Sequence, residues 1–256
     1  MDYSNKVIII TGASSGIGAS CALHFAELRA KLSLVGRNVD KLRNVAEECE
    51  KISGTKPLTI AADISVEEDN ERIIQETLKR YGKLDVLVNN AGILTLAGCL
   101  DNIKIFDQMV ATNVRGTYLL TQKAIPYLIE TKGNIINVSS VASQSVISPM
   151  TAYSMTKAAL DMFTKCAALE LAPKGVRVNA INPGPVVTNL FKAGGFSDEA
   201  SDDFYANMQK MMPLKKVSQA EDIAKLITFL ASDDAKCITG TTNLIDCGLH
   251  LGQPLL

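Results

Sequence analysis

The chain has few of the residues on which several kinds of enzyme chemistry depend. Its 256 residues include no tryptophan and only two histidines, His24 and His250, neither of which belongs to a serine or cysteine motif. The six cysteines are never closer together than ten residues, so no pair has the spacing of a zinc site. We therefore expect no metal site and no chemistry that requires a histidine base.

Strong charge and long apolar runs are also missing. Lys and Arg number 26 against 27 Asp and Glu, and this balance provides no basic surface for nucleic acid or an anionic membrane. No apolar run approaches the ~18 residues of a membrane span, and the first residues lack a signal-peptide pattern. We expect one soluble, cytoplasmic domain over residues 1–256, with no nucleic-acid or membrane partner.

Short β-branched runs alternate with helical patterns, which is typical of βαβ units and a parallel sheet. The predicted strands are Lys6–Ile10, Lys31–Val35, Pro57–Ala61, Val86–Asn89, Gly133–Val138, Val176–Ile181 and Thr242–Ile245. The predicted helices cover residues 16–29, 39–52, 67–81, 103–129, 153–172 and 220–231. This pattern predicts an α/β fold, a Rossmann-like, doubly wound sheet of seven parallel strands. Residues 185–216 break the alternation and are expected to form a small substrate lid.

A glycine-rich turn follows the first strand and comes directly before a helix. Gly12, Gly16 and Gly18 allow close approach of the backbone to a pyrophosphate, and the helix N-terminus offers free N–H groups. The spacing G-x-x-x-G-x-G differs from the G-x-G-x-x-G dinucleotide fingerprint. The alternative is a tight strand-to-helix turn that binds nothing.

The residue after the second strand bears on the choice of cofactor. An acid at this place favours NAD through the ribose hydroxyls, whereas an arginine pairs with the 2′-phosphate of NADP. Here the residue is Arg37, and Ser14, Ser15 and Asn38 add uncharged hydrogen-bonding groups. We therefore expect NADP(H) rather than NAD(H), the alternative being that Arg37 is a solvated loop residue.

Tyr153 and Lys157 lie four residues apart and share one face of a predicted helix, so the ammonium can stabilise an ionised phenol. A free phenol titrates near pH ~10, and bringing its pKa to working pH requires about 4 kcal/mol. One lysine rarely supplies this much, and a second positive charge, such as an oxidised nicotinamide, supplies much of the rest. Ser140 precedes Tyr153 by thirteen residues.

Taken together, these motifs resemble those of the short-chain dehydrogenase/reductase family over essentially the whole chain. The matching segments are Thr11-Gly12-x-x-x-Gly16-x-Gly18, Asn89-Asn90-Ala91-Gly92, the four residues Asn113, Ser140, Tyr153 and Lys157, and Pro183-Gly184 with Thr188. One departure is Ser143, where many members carry glycine. The resemblance implies an NADP(H)-dependent oxidoreductase that reduces a carbonyl to a secondary alcohol, reversibly.

The resemblance also implies a role for each matched residue. Tyr153 exchanges a proton with the substrate oxygen, Ser140 donates a hydrogen bond to it, and Lys157 holds the nicotinamide ribose and lowers the pKa of Tyr153. Asn113 binds a water that connects Lys157 to solvent. The cofactor-binding residues are expected to be Gly12, Ser14, Ser15, Gly16, Ile17, Gly18, Arg37, Asn38, Asp63, Ile64, Asn90, Ala91, Gly92, Tyr153, Lys157, Pro183, Gly184, Val186 and Thr188.

Several of these residues also have ordinary structural interpretations. Ser140 is alternatively a strand-end serine like its neighbour Ser139, and Asn113 a turn cap. Asp63 is alternatively the cap of the following helix, and Thr188 a loop hydroxyl without a ligand.

The expected substrate pocket is apolar and contains no cation placed to pair with a carboxylate. Its predicted residues are Leu94, Ser140, Ala142, Val146, Tyr153, Pro185, Leu190 and Phe191. A hydrophobic ketone such as a ketosteroid therefore fits better than a keto acid. A 3-oxoacyl thioester reductase and a catalytically silent dinucleotide-binding protein are the alternatives. The resemblance and the apolar helix 153–172 further predict a homotetramer.

Overall fold

The computed structural model describes residues 1–188 and 197–252. Seven parallel strands form the central sheet: β1 Val7–Thr11, β2 Lys31–Gly36, β3 Leu58–Ala61, β4 Val86–Asn89, β5 Asn134–Val138, β6 Arg177–Pro183 and β9 Thr242–Ile245. Their order in the sheet is β3-β2-β1-β4-β5-β6-β9. A separate two-stranded ribbon pairs β7 Val186–Val187 with β8 Ser218–Gln219. The prediction of a doubly wound, seven-stranded sheet is confirmed.

Helices connect the strands and cover both faces of the sheet. Their bounds are α1 Gly16–Glu27, α2 Val39–Ser53, α3 Glu67–Tyr81, α4 Ile103–Met109, α5 Thr117–Thr131, α6 Thr151–Leu171, α7 Asp198–Met211 and α8 Ala220–Ala231. Among the described residues, no helix combines the length and hydropathy that crossing a membrane requires.

The sheet separates two hydrophobic layers because successive side chains of a strand point to opposite faces. In β1, Ile8 and Ile10 pack with α1, α2 and α8, whereas Ile9 packs with α3, α5 and α6. Both faces of the sheet are thus covered by helices, which explains why the strands are continuous apolar runs rather than alternating ones.

The region predicted as one helix over residues 103–129 is interrupted. A π-helical segment, Val110–Gly116, lies between α4 and α5. Gly116 closes this segment against the end of β3, where a Cβ atom would lie 2.5 Å from the carbonyl oxygen of Ile64. The wider turn therefore occurs where the helix packs against the segment that follows β3.

The order of the strands places a crevice above the carboxyl ends of β1 and β4. The chain winds from β1 outward to β3 and then returns to β4 on the other side of β1. Ligands of open parallel sheets bind at such a reversal point, so this edge is where the site is expected.

Candidate active site

The glycine turn between β1 and α1 adopts backbone conformations that favour glycine. Gly12 and Gly16 have φ angles of +66° and +55°. A Cβ atom at Gly18 would lie 2.3 Å from the carbonyl oxygen of Gly12 and 2.6 Å from Nδ2 of Asn90. These glycines bring the N-terminus of α1 against the end of β4 and leave its first N–H groups directed at the crevice.

Thr11 and Asn90 hold the ends of β1 and β4 together. The Thr11 hydroxyl accepts hydrogen bonds from the backbone N–H groups of Asn90 and Ala91, both at 3.0 Å. The Asn90 amide donates in turn to the Thr11 carbonyl at 2.8 Å. These hydrogen bonds fix the position of the glycine turn relative to β4, and the described contacts of Asn90 give it this structural role.

At the far end of the crevice, Arg37 is paired with an acid. Its Nη1 atom lies 3.5 Å from Oδ2 of Asp63, and its side chain is 67% exposed. Burial opposes ionisation of Asp63, but hydrogen bonds from the backbone N–H and hydroxyl of Ser65, together with Arg37, hold the pKa of its carboxyl below the usual value. Asp63 does not cap α3, whose N-cap residue is Val66.

This ion pair corrects one step of the sequence argument. The residue at the end of β2 is not an acid, but β3 lies beside β2 and brings Asp63 to the same edge. Arg37 is therefore neither an isolated solvated residue nor an unopposed cation.

Tyr153 and Lys157 are buried together in the first two turns of α6. The Lys157 Nζ atom lies 5.5 Å from the centroid of the Tyr153 ring and donates to the Val138 carbonyl at 2.9 Å. Burial raises the pKa of Tyr153 to about 12, opposed by a hydrogen bond with Ser140. Burial also lowers the pKa of Lys157 to about 8, opposed by the charge of Asp161. In the protein without cofactor, the phenol is thus protonated at neutral pH.

Ser140 directs its hydroxyl toward Tyr153 because it caps a short 3₁₀ turn, Val141–Ser143, that follows β5. Its Oγ atom accepts a hydrogen bond from the N–H of Ala142 at 3.1 Å. Ser139 instead donates to the Lys157 carbonyl at 3.1 Å. The two adjacent serines therefore do different things, and Ser140 is the one that faces the phenol.

Asn113 lies in the π-helical segment, behind Gly92. Its amide accepts from the Ile93 N–H at 2.8 Å and donates to the Ile93 carbonyl at 2.9 Å and to the Thr156 hydroxyl at 3.1 Å. The Asn113 side chain thus binds both backbone polar groups of Ile93 and fixes the segment that follows β4. The relay water predicted from the resemblance remains a prediction.

One cleft of about 830 Å³ joins these groups. It runs from the glycine turn and Arg37, past Asn90, to Ser140, Tyr153 and Lys157. At one end, the glycine turn lines the cleft with Gly12 and Gly16, which have no side chains, and it suits a ligand that needs close backbone contact. A dinucleotide therefore fits the residues present.

A profile of the family described as enoyl-(acyl carrier protein) reductase matches residues 12–250. The chain belongs to the short-chain dehydrogenase/reductase family. It is accordingly an oxidoreductase of that family, whose members bind a nicotinamide dinucleotide.

Relatives of known activity within the family cover nearly the whole chain. The glucose 1-dehydrogenase of Gluconobacter oxydans is 39% identical over 254 residues, which are 97% of this chain and 93% of that protein. The 3-oxoacyl-(acyl-carrier-protein) reductase FabG of Staphylococcus epidermidis is 36% identical over 251 residues, 96% and 100% of the two chains. A Caenorhabditis elegans member of unknown function, crystallised with cofactor, superposes with a TM-score of 0.94 at 36% identity and covers 98% of this chain and 97% of its own.

Nearly all of the predicted cofactor residues of this family member line the cleft. The ones that do so are Gly12, Ser14, Ser15, Gly16, Ile17, Arg37, Asn38, Asp63, Ile64, Asn90, Ala91, Gly92, Tyr153, Lys157, Pro183, Gly184, Val186 and Thr188. Gly18 does not line it, because it is buried against Gly12. Thr188 lies over the glycine turn, where a Cβ atom at Gly16 would be 3.2 Å from it.

The predicted substrate pocket is partly corrected. Leu94, Ser140, Ala142, Tyr153 and Pro185 line the cleft. Val146 does not, and its side chain is fully exposed because the segment after the 3₁₀ turn directs it outward. Leu190 and Phe191 lie outside the described residues.

Sequence reasoning missed several residues of the wall. Thr95, Leu96, Ile147, Pro149, Met150 and Leu249 line the substrate end, and Lys41 lines the end near Arg37. Leu94, Ala142, Met150 and Tyr153 belong to a small hydrophobic cluster of their own, separate from the two layers on the sheet. The apolar character of residues 93–97 and 147–150 was a signal for this cluster, but no periodicity places such loop residues.

Proposed function

We propose that the chain is an NADP(H)-dependent reductase that converts a hydrophobic ketone, such as a ketosteroid, to a secondary alcohol, and reverses this reaction. The observation that carries the proposal is the meeting of Ser140, Tyr153 and Lys157 at one end of a cleft whose other end is the glycine cradle. A bound reduced nicotinamide supplies the hydride. The protein's own groups supply binding, orientation and the proton.

Tyr153 is the proposed proton donor to the carbonyl oxygen. Burial keeps its phenol protonated in the free protein, with a pKa of about 12, which is the form needed for reduction. Ser140 donates a hydrogen bond to the same oxygen and stabilises the charge that develops there. Lys157 holds the ribose beside the nicotinamide and provides the positive charge that favours the phenolate left after proton transfer.

The preference for NADP(H) over NAD(H) is supported by two cations at the adenosine end, Arg37 and Lys41. Both can approach a 2′-phosphate. Asp63 opposes this preference, because its carboxylate already pairs with Arg37 and repels an added phosphate. We therefore propose a moderate preference for NADP(H) rather than a strict one.

An apolar ketone is supported by the composition of the substrate wall. Leu94, Leu96, Ile147, Met150 and Leu249 supply aliphatic surface there. Phe204 and Met208 of α7 complete the wall, and we propose that residues 185–216 cover the substrate as a lid. Among the described residues of the cleft, the cations are Arg37 and Lys41 at the adenosine end and Lys157, which is 4% exposed and is assigned to the cofactor ribose. The described aliphatic substrate wall therefore offers no cation of its own to a carboxylate.

A second candidate is a 3-oxoacyl thioester reductase, supported by the similarity to FabG over 96% of the chain. An acidic carrier protein requires a basic rim at the cleft mouth. The described lining of the cleft does not provide a basic rim at its mouth. We therefore prefer the hydrophobic ketone to the acyl thioester as the proposed substrate. A catalytically silent dinucleotide-binding protein is disfavoured by the burial of Tyr153 and Lys157 beside Ser140.

The proposed assembly is a homotetramer. Met155, Met162 and Leu169 repeat every seven residues along α6, and their side chains are 54%, 59% and 80% exposed. Such a stripe favours packing against another helix. Tyr118 of α5 lies beside it, with its ring 5.5 Å from that of Phe163.

The substitution Tyr153→Phe tests the reaction. We expect turnover to fall about a hundredfold or more while the Kd for NADPH changes little, because the ring still packs but has no proton to transfer. Tyr118→Phe, which removes a hydroxyl outside the cleft, is the matched control and should keep full activity. Turnover of Tyr153→Phe within tenfold of wild type contradicts the assigned role.

A substrate panel followed by NADPH absorbance tests the specificity. It compares diacetyl, an aromatic ketone and a ketosteroid with pyruvate and acetoacetyl coenzyme A, and tests glucose in the oxidative direction. We expect the apolar ketones to have the highest kcat/KM. A tenfold advantage for pyruvate, the thioester or glucose rejects the proposed substrate class.

A further inference from the structure

A buried carboxylate lies one helical turn beyond Lys157 and takes no part in the reaction proposed above. Asp161 of α6 is 6% exposed, and both of its oxygens accept from Nδ2 of Asn182, at 3.1 and 2.8 Å. Asn182 is completely buried in β6, directly before Pro183 and Gly184. Because β5 and β6 are adjacent, Asn182 lies beside the end of β5, where the turn with Ser140 begins.

The same amide nitrogen also reaches that turn. Asn182 Nδ2 lies 2.9 Å from Oγ of Ser143 and 3.2 Å from the carbonyl oxygen of Ser140. The Ser143 hydroxyl donates to this carbonyl at 2.7 Å. Since the single hydroxyl hydrogen is used there, Ser143 accepts from Asn182. The hydrogen bonds therefore run from Asn182 to Asp161 on one side, and through Ser143 to Ser140 on the other.

The orientation of the Asn182 amide is determined by its neighbours. A carboxylate, a hydroxyl oxygen and a carbonyl oxygen all surround the nitrogen, so exchanging the amide oxygen and nitrogen would face oxygen with oxygen. The Oδ1 atom is buried and has no hydrogen-bond partner in the part of the chain that the structure describes. A buried polar atom without a partner costs stability, so the hydrogen bonds made by the nitrogen are what hold the amide in this orientation.

We propose that Asp161, Asn182 and Ser143 are positioning residues that hold the Ser140 turn in register with Tyr153 and Lys157. This inference rests on the proposed role of Ser140 in the reaction. Three segments meet in the network: α6, which carries the phenol and ammonium, the 3₁₀ turn, which carries Ser140, and the end of β6, which leads into the loop at Pro183. Ser143 is required for this arrangement, because a glycine at its position would have no hydroxyl to pass on the hydrogen bond.

The network also has an electrostatic consequence for Lys157. The titratable groups that face this ammonium are Tyr153 and Asp161, both on α6. The end of β5 presents the neutral carbonyl of Val138, and the π-helical segment presents the neutral amide of Asn113 near Gly92. Asp161 therefore supports the charge of Lys157, and removing its charge should move a pH profile as well as a rate.

Three variants test the positioning role, with the fastest carbonyl of the panel and NADPH as substrates. Asn182→Ala should lower kcat about tenfold to a hundredfold with the Kd for NADPH within about twofold, because a displacement of about 1 Å at the reacting groups has an effect of this size. Ser143→Ala should lower kcat about threefold to tenfold, and Ser143→Thr, which keeps a hydroxyl, should restore it. In Asp161→Asn the amide oxygen still accepts from Asn182, and the alkaline limb of the kcat profile should move to lower pH.

Asn134→Ala is the matched control. Asn134 is also a buried strand asparagine whose Nδ2 donates one hydrogen bond, to Leu230 at 2.9 Å, and whose Oδ1 has no partner, but it lies at the opposite end of the sheet. It should lose similar stability and keep its kcat. If Asn182→Ala does not fold, the positioning role is tested by the kcat of Ser143→Ala and by its recovery in Ser143→Thr.

The inference is overturned if Ser143→Ala keeps kcat within twofold, if Asn134→Ala lowers kcat as much as Asn182→Ala, or if the pH profile of Asp161→Asn superimposes on that of wild type. Tyr153→Phe in the same assay separates this failure from failure of the proposed function. An inactive Tyr153→Phe beside a fully active Ser143→Ala rejects the positioning role alone, whereas an active Tyr153→Phe rejects the proposed reaction.

Discussion

The strength of the NADP(H) preference can be worked out from the Arg37–Asp63 pair. An ion pair as exposed as this one, 3.5 Å long, contributes about 0–1 kcal/mol. A charge-assisted hydrogen bond from Arg37 to a 2′-phosphate contributes about 1.5–3 kcal/mol. Since the phosphate competes with Asp63 for the guanidinium, the net gain is the difference, about 0.5–3 kcal/mol. The central part of this range, about 1–2 kcal/mol, corresponds to about fivefold to thirtyfold in affinity.

Arg37→Ala should therefore reduce the ratio of kcat/KM for NADPH to that for NADH by about fivefold to thirtyfold. Asp63→Asn should raise the same ratio, because it releases Arg37 and removes a negative charge near the phosphate. Both ratios are measured with diacetyl as the common carbonyl substrate. Because each is a ratio for one variant, losses of stability or of general activity cancel.

Arg43→Ala is the control for a change of surface charge. Arg43 lies on α2 near Arg37, is similarly exposed and pairs with Asp40 at 3.4 Å, but it does not line the cleft. Its ratio should stay at the wild-type value. The reasoning is refuted if Arg37→Ala changes the ratio less than twofold, or if Arg43→Ala changes it equally.

Three further predictions follow from the burial of individual residues. Gly18→Ala should lower the free energy of unfolding in urea by about 1–3 kcal/mol and weaken NADPH binding, because its Cβ atom overlaps the Gly12 carbonyl. Gly98→Ala is the control and should have little effect on unfolding, because a Cβ atom there meets no atom closer than 3.9 Å. Leu169→Glu should dissociate the proposed tetramer, and a wild-type monomer in light scattering at micromolar concentration rejects that assembly. The third prediction compares wild type with Lys157→Met in urea unfolding without cofactor. Raising the pH from about 8 to the lysine reference value of 10.5 should stabilise wild type relative to the variant by on the order of 3 kcal/mol, because the buried ammonium of Lys157 loses its proton over this range. Equal pH dependence of the two free energies of unfolding contradicts this.

The sequence predicted the sheet well because the pattern that specifies it is local. Each strand is a short apolar run beside a turn or a helix, and strand boundaries such as Val86–Asn89 agree with the structure. The glycine turn and the Tyr153–Lys157 pair were predictable for the same reason, since spacing along one element determines which side chains meet.

Contacts between distant segments were not predictable from spacing. The Arg37–Asp63 pair depends on β2 and β3 being neighbours, and the hydrogen bonds of Asn182 depend on β5, β6 and α6 meeting at one end of the sheet. Val146 was misplaced because a hydrophobic residue in a loop has no period to indicate the direction of its side chain. The π-helical turn was missed because its residues are compatible with an ordinary α-helix.

The π-helical segment limits how this chain can change in length. A π-helical turn holds about one residue more than an α-helical turn, so a deletion of one residue between Val110 and Gly116 would convert the segment to regular α-helix and change the directions in which its side chains point. The Asn113 amide would then turn away from Ile93. Insertions and deletions are therefore expected to accumulate in surface loops of close homologues and to avoid this seven-residue stretch.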